Sequence, residues 1–530
     1  MPKISNALLA ALCALALSAP VLAATPADTL VVAQNIDDII TLDPGEAFEL
    51  IGLEVTANLY DRITMHEPED LQKLVGGVAE GWEISADGHT ITLKLRSGQT
   101  FVSGNPVTAH DLVFSLVRTV KLEKTPVFLL NQFGWTKDNV EKNVVAADDM
   151  TVKLTIPEAL APTLVLNVLS AGVGSVVDKK TVLEHEQNGD LGNAWLKANS
   201  AGSGAFKLVS WKPNEGVVME ANPHYRHGAP VLKRVLLRHV PEPAAQRLLI
   251  EKGDVDIARN LTADQVAGLA GNADVKVQTD PKATLLYLML NMGDPVLSKP
   301  KVREALRYLV DYDGMTGSFL RGQFQTHQAF WPSGFAGSLG DKPFKLDVDK
   351  AKALLAEAGE ANGFEVELDA FNSSPYADIA QSVQDTMARA GVKVKILAAE
   401  KKAVYTKHRS RQSKMTLTHW APDYLDPHSN ADAFASNPDN RDEAKLTGLI
   451  TWRARWDAPE TTKLVAAAKQ ETDGAKRDQM YLDLQRKLQA DSPFIFLFQE
   501  VQQAVLRKNV DGFISGATSD LVFYRKTTKH

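Results

Sequence analysis

Cysteine is almost missing from this chain: among 530 residues only Cys13 is one, and it lies in the leading apolar run. Loss of that run leaves no thiol, which excludes structural disulfides, thiolate metal sites and a cysteine nucleophile. Long apolar runs are as scarce. Beyond the leader no stretch reaches the about eighteen residues of a bilayer crossing, so a soluble product is expected. No basic cluster occurs either, and 58 Lys and Arg against 65 Asp and Glu give a formal charge of −7, which argues against nucleic acid as partner. Catalytic signatures are wanting too. G-x-S-x-G is absent, and Gly202-Ser203-Gly204 fits a tight crossing between lobes instead. Neither H-E-x-x-H nor a P-loop occurs; His185-Glu186 stands alone, and the twelve histidines lack ligand spacing. Asp254 and Asp256 begin like a calcium loop whose later ligands are not there. The adjacent acids Asp37-Asp38 and Asp148-Asp149 read as solvated loop residues rather than acid/base partners. No enzyme, no metal and no cofactor are expected.

What is present begins with a leader, MPKISNALLAALCALALSAPVLAA. Lys3 supplies the positive region and Ala7 to Ala19 an apolar core too short to span a membrane. Val21-Leu22-Ala23 offers a small-residue cleavage site, so residues 1–23 are expected to be a signal peptide. Leu12 stands before Cys13 where lipid attachment wants a small residue, so no lipid anchor is expected. Cleavage removes one lysine and no acid. The product is expected in the periplasm. Its length exceeds what one hydrophobic core holds, so two or three lobes are expected.

Met415 to Phe434, MTLTHWAPDYLDPHSNADAF, is the stretch around which the chain is organised. Met415 and Leu417 alternate with Thr416, Thr418 and Trp420 as in a strand. Pro422 and Pro427 then end the ladder and force an irregular loop. Trp420, Asp423, Tyr424 and Asp426 thus place two flat aromatics beside two carboxylates. That set suits a cationic, partly apolar ligand; it equally suits a capped turn with surface acids.

Elsewhere the patterning is mixed α/β. Leu30 to Ala33 is an apolar run, and Leu50, Leu53, Val55 and Leu59 follow helical spacing. In residues 74–118, LVGGVAEGWEISADGHTITLKLRSGQTFVSGNPVTAHDLVFSLVR, Asp87-Gly88 is a hairpin turn and Thr108 with Asp111 a capping box. Met150, Val152, Leu154 and Ile156 alternate as a strand. Residues 347–359, 379–390 and 463–488 are predicted helices, and 364–368, 392–397 and 494–498 strands. No internal repeat or low-complexity tract interrupts them.

Residues 74–118 resemble the first lobe of the family 5 solute-binding proteins, the peptide- and nickel-binding components of ABC importers. They depart from the family's run chiefly by Val78 for Leu and Leu112 for Val. Gly202 to Phe206, Ala221 to Tyr225, Gln246 to Asp256 and Lys301 to Leu306 resemble later blocks, so the likeness spans about 30–525. It implies an α/β, two-lobed periplasmic binding protein fold with an extra subdomain, pear-shaped and hinged between the lobes. Residues 24–60, 200–278 and 500–530 would form one lobe, 61–199 a subdomain packed on it, and 279–499 the other lobe.

The resemblance also implies a function: a peptide-like ligand bound between the lobes and delivered by a monomer to an inner-membrane permease driven by cytoplasmic ATPase subunits. Peptide-binding members resemble W-x-x-D-x-x-(D/E)-P, matched by Trp420, Asp423, Asp426 and Pro427. By that match Asp423 holds the ligand ammonium, Trp420, Tyr424, Tyr376 and Phe48 contribute to ligand binding, and Asp426 braces the loop. Two departures concern the ligand carboxylate. Where dipeptide binders resemble R-P-Y this chain has Ser374-Pro375-Tyr376, and Leu417 occupies the other arginine position. An opine, glutathione, haem, a nickel chelate or an oligosaccharide therefore stays open as ligand, and an exported hydrolase is the remote alternative.

Overall fold

Leu30, Val31, Val32 and Ala33 build the strand Thr29–Gln34, and burial on both faces explains its unbroken apolar run. Leu30 and Val32 enter one core with Val235, Ile257, Leu506 and Val510, while Val31 and Ala33 enter another with Ile250 and Val255. The strand is flanked in parallel by Arg234–His239 and Ile257–Ala258. The computed structural model describes residues 25–67, 70–158 and 160–530, so the expected leader and Cys13 lie outside the described residues.

That strand belongs to an eleven-stranded sheet running through the molecule. One end holds Phe206–Lys212, Gly216–Ala221 and Arg234–His239; the other holds Lys393–Ala399, Glu365–Phe371 and Met415–Trp420. Two long antiparallel strands, Val275–Leu290 and Phe494–Arg507, join the ends. Their register runs unbroken from Val275↔Arg507 to Pro281↔Val501, lapses, and resumes at Leu285↔Gln499. Proline has no N–H to give the ladder, so the lapse at Pro281 follows from its chemistry.

Residues 61–199 carry a separate four-stranded sheet in which Ala79–Ile84 pairs with Thr90–Leu95 across the Asp87-Gly88 turn. Helix Ala109–Leu122 packs on it through Leu112 and Leu116. The Thr108 N–H donates to the Asp111 carboxylate at 2.9 Å, fixing the start of the helix.

Three expectations are corrected. The helix read over 463–488 is two, Pro459–Gln470 and Gly474–Ala490. Glu471 turns extended, and Asp473 accepts from the Lys476 N–H to cap the second. The strand read over 494–498 continues to Arg507, because its second half pairs with the other end of the sheet. The small residues Gly202 and Gly204 press against Leu59 and Tyr60, within one half of the molecule rather than at a crossing between lobes.

A Cβ on Gly204 would stand 2.5 Å from the carbonyl carbon of Leu59 and 2.7 Å from the Asn58 oxygen. Backbone cannot yield as a flexible side chain does. Gly204→Ala is expected to cost about 1–3 kcal/mol, read as a lower urea midpoint with unchanged slope.

Candidate functional site

The strand Met415–Trp420 lies antiparallel to Val275–Leu290, with Trp420 opposite Leu285. Beyond it Asp426 starts the helix Pro427–Ala435 by accepting from the His428 N–H at 2.9 Å. Asp426 also accepts two bonds from Arg477, at 2.8 and 2.6 Å, and one from Asn167 Nδ2 at 3.3 Å. Burial pushes its carboxyl up, but the Arg477 guanidinium outweighs that and holds it below the ordinary value. A carboxylate so fully engaged has nothing left to offer a ligand.

Asp423 is different. Its N–H donates to Ser429 Oγ at 2.9 Å, which fixes the loop, yet among the described residues no hydrogen bond or ion pair reaches its carboxylate. Burial, with the negative charge of Asp432, raises it to about 7. Trp420 stands beside it, held by its Nε1 donating to Asn430 Oδ1 at 3.1 Å and by edge contact with Phe434.

Asp423, Trp420, Tyr376 and Phe48 line one cavity of about 610 Å³, a volume suited to a small organic ligand. Phe48 enters from the opposite side, supported by Phe128 at 5.7 Å. The Tyr376 hydroxyl meets His419 Nδ1 at 2.7 Å, and Tyr405 meets the other ring nitrogen at 3.3 Å. Burial and Lys401 lower His419 to about 4, so the ring is neutral near pH 7.

Tyr424 does not join that wall, which corrects the sequence expectation. It turns into the core of residues 61–199 beside Leu129 and Phe133, and its hydroxyl donates to Gln132 Oε1 at 3.1 Å. The chain bends at Asp423 and Tyr424, and their side chains part, one to the cavity and one to this core. Tyr424 is thereby a latch between the two halves.

Ser374 is spent on Asp378, at 2.7 Å, and Leu417 is buried in the core. Cations reach the cavity from elsewhere: Arg259, Lys282, Lys401, Arg409 and Arg453. Arg259 pairs with Glu54 at 2.6 Å, and Lys282 donates to Ser515 Oγ at 2.7 Å. None of these five was marked by a motif. His419 had a signal, since it adjoins Trp420 at the end of a strand already aimed at the site. Among the described residues no group of three His, Cys, Asp or Glu is placed to hold a metal.

The family described as "Bacterial extracellular solute-binding proteins, family 5 Middle" matches residues 73–442. The chain is 29% identical to the probable D,D-dipeptide-binding periplasmic protein DdpA of Escherichia coli (strain K12), over 94% of each chain. It is 25% identical to the glutathione-binding protein GsiB of Pectobacterium atrosepticum, over 89% of each. The fold is that of a periplasmic binding protein, DppA from Helicobacter pylori in complex with peptide STSA, with a TM-score of 0.79 at 23% identity, covering 94% of this chain and 98% of that one. All three are named as binding proteins.

Proposed function

This chain belongs to the family 5 bacterial extracellular solute-binding proteins, and from that premise we propose that it carries a small peptide-like ligand in the periplasm. The ligand sits in the cavity at Asp423, and the closed protein delivers it to an inner-membrane ABC permease with cytoplasmic ATPase subunits. The protein acts as a monomer, by binding rather than catalysis, and needs no cofactor. Residues 24–60, 200–278 and 500–530 serve as one lobe, 61–199 as its subdomain and 279–499 as the other lobe. Closure across these units strengthens each polar contact by removing water.

The observation that carries this reading is the unpaired Asp423 carboxylate beside the fixed face of Trp420. A half-buried acid without a protein cation is unfavourable until a partner arrives, and an ammonium group is the partner whose charge and size fit. Trp420, Tyr376 and Phe48 then cover the less polar part. Dipeptide- and glutathione-binding relatives accord with such a ligand.

Native mass spectrometry of protein purified without denaturation tests this. The expected result is a small amine-bearing adduct that leaves on unfolding and rebinds to the refolded protein. Retention of a sugar or a metal chelate without an amine would overturn the peptide-like reading.

A further inference from the structure

Among the described residues eight arginines are buried, and six of them meet a carboxylate. Arg118 is bidentate to Asp43 at 2.8 and 2.6 Å, and Arg477 likewise to Asp426. This is the usual condition of a guanidinium taken out of water. The exceptions are Arg307 and Arg453. Arg307 donates to the Ser492 and Phe494 carbonyl oxygens and lies over the Phe344 ring, inside the core.

Arg453 is 7% exposed, and its Nε donates to the Thr447 carbonyl oxygen at 2.7 Å. That bond anchors the stem at the end of the short helix Ile450–Arg453. Its two terminal nitrogens have no hydrogen-bond partner among the described residues, and the side chain lines the cavity that Asp423 lines. Burial, with Arg409 nearby, lowers the guanidinium to about 10. Arg409, over the Tyr405 ring at 5.2 Å, and Lys401 add positive charge to this part of the cavity. Both are exposed, so water solvates them. Lys282 is buried as well, but it spends its ammonium on Ser515 Oγ and the Gly516 carbonyl oxygen, whereas Arg453 keeps its two outer nitrogens unspent.

We propose that Arg453 is the residue that holds the carboxylate of the ligand, so that the cavity selects molecules bearing an ammonium and a carboxylate together. This rests on reading the cavity as the ligand site. A planar guanidinium anchored through Nε presents its two outer nitrogens as a fork, the geometry that matches both oxygens of a carboxylate. Arg453 stands in for the arginine missing at Ser374 and Leu417, and it arrives on a different segment of the chain.

The test offers the purified, ligand-stripped protein an equimolar library of dipeptides and tripeptides with free C-termini, and the same library amidated. Bound species are read by native mass spectrometry. The parent is expected to favour the free acids by about thirty-fold or more, and Arg453→Gln to erase that preference while still requiring a free amine. Equal capture of both libraries by the parent, or an unchanged preference in Arg453→Gln, overturns the proposal. Capture of neither library defeats the peptide reading itself. The melting temperature of the ligand-free proteins then decides on Arg453: Arg453→Gln melts higher if the guanidinium lies unmatched. It melts lower if the bond to Thr447 makes Arg453 a structural post, and that result also overturns the proposal.

Discussion

Asp423→Asn is expected to weaken binding of the amine-bearing ligand by roughly thirty- to a few-thousand-fold, the loss of about 2–5 kcal/mol that follows removal of one member of a buried charge pair. Asparagine keeps the shape of the side chain, so the loss reports on charge. N-acetylation of the ligand removes the opposite charge. It should weaken binding to the parent and add little to the loss in Asp423→Asn, and calorimetry on the four combinations measures that coupling. Additive losses would reduce Asp423 to a part of the turn.

The same carboxyl gives the binding a pH dependence. Because Asp423 is raised to about 7 in the ligand-free protein, binding of an ammonium below that pH must first expel a proton. Affinity should therefore fall from pH 8 to pH 5 in the parent and stay flat in Asp423→Asn. The stability effect has the opposite sense. A folded-state value above the unfolded one means that the folded protein holds the extra proton between about pH 4 and 7. Its contribution to stability is whole at low pH and is lost as pH rises through about 7. The ligand-free Asp423→Asn protein should thus melt above the parent, by a margin that widens from pH 4 to 7 and then levels.

Asp426→Asn should behave in the reverse way, with a large cost in stability and a small one in affinity. The substitution leaves the Arg477 guanidinium buried without an anion, and breaking such a pair costs about 3–5 kcal/mol. The asparagine oxygen still accepts one bond, which places the expected value near the lower end. Asp426 also caps the helix Pro427–Ala435, so the loop holding Asp423 loosens as the pair is lost. Urea unfolding should show the lower midpoint, while calorimetry well below the transition shows affinity close to that of the parent. An Asp426→Asn protein as stable as the parent would mean that the pair with Arg477 contributes nothing net.

The two carboxylates lie three residues apart, and much of their difference was legible in the chain. Alternation in MTLTHW marked the strand, Pro422 and Pro427 marked its end, and the likeness to W-x-x-D-x-x-(D/E)-P marked Asp426 as a brace, though not the helix that Pro427 begins. The orientation of Tyr424 was not legible, because an irregular loop has no period from which to read a face. The break near Glu471 had a signal in Asp473-Gly474, a capping pair that the apolar stripe on either side concealed. Arg453 left no local trace. Its role depends on what is missing around it in space, and spacing along the chain does not carry absent partners. For the fold, burial on both faces of Thr29–Gln34 could be read from its apolar run. The reach of Phe494–Arg507 could not, since Glu500, Gln502 and Gln503 interrupt the apolar run before Ala504 to Leu506 resume it.

The lapse in pairing between Pro281 and Leu285, opposite Gln499 to Val501, has a mechanical meaning. A β-ribbon owes its stiffness to the ladder between its strands, and here the one ladder that joins the two long strands loses its rungs at a single level, where the short strand Phe324–Thr326 pairs with Phe494–Arg507 instead. A ribbon scored across its width folds like a creased card, bending more readily about the crease than elsewhere along its length. Bending between the ends of the sheet is therefore expected at this level. On the proposed closure Asp423, carried with its end of the sheet, would approach the side of the cavity that Phe48 lines.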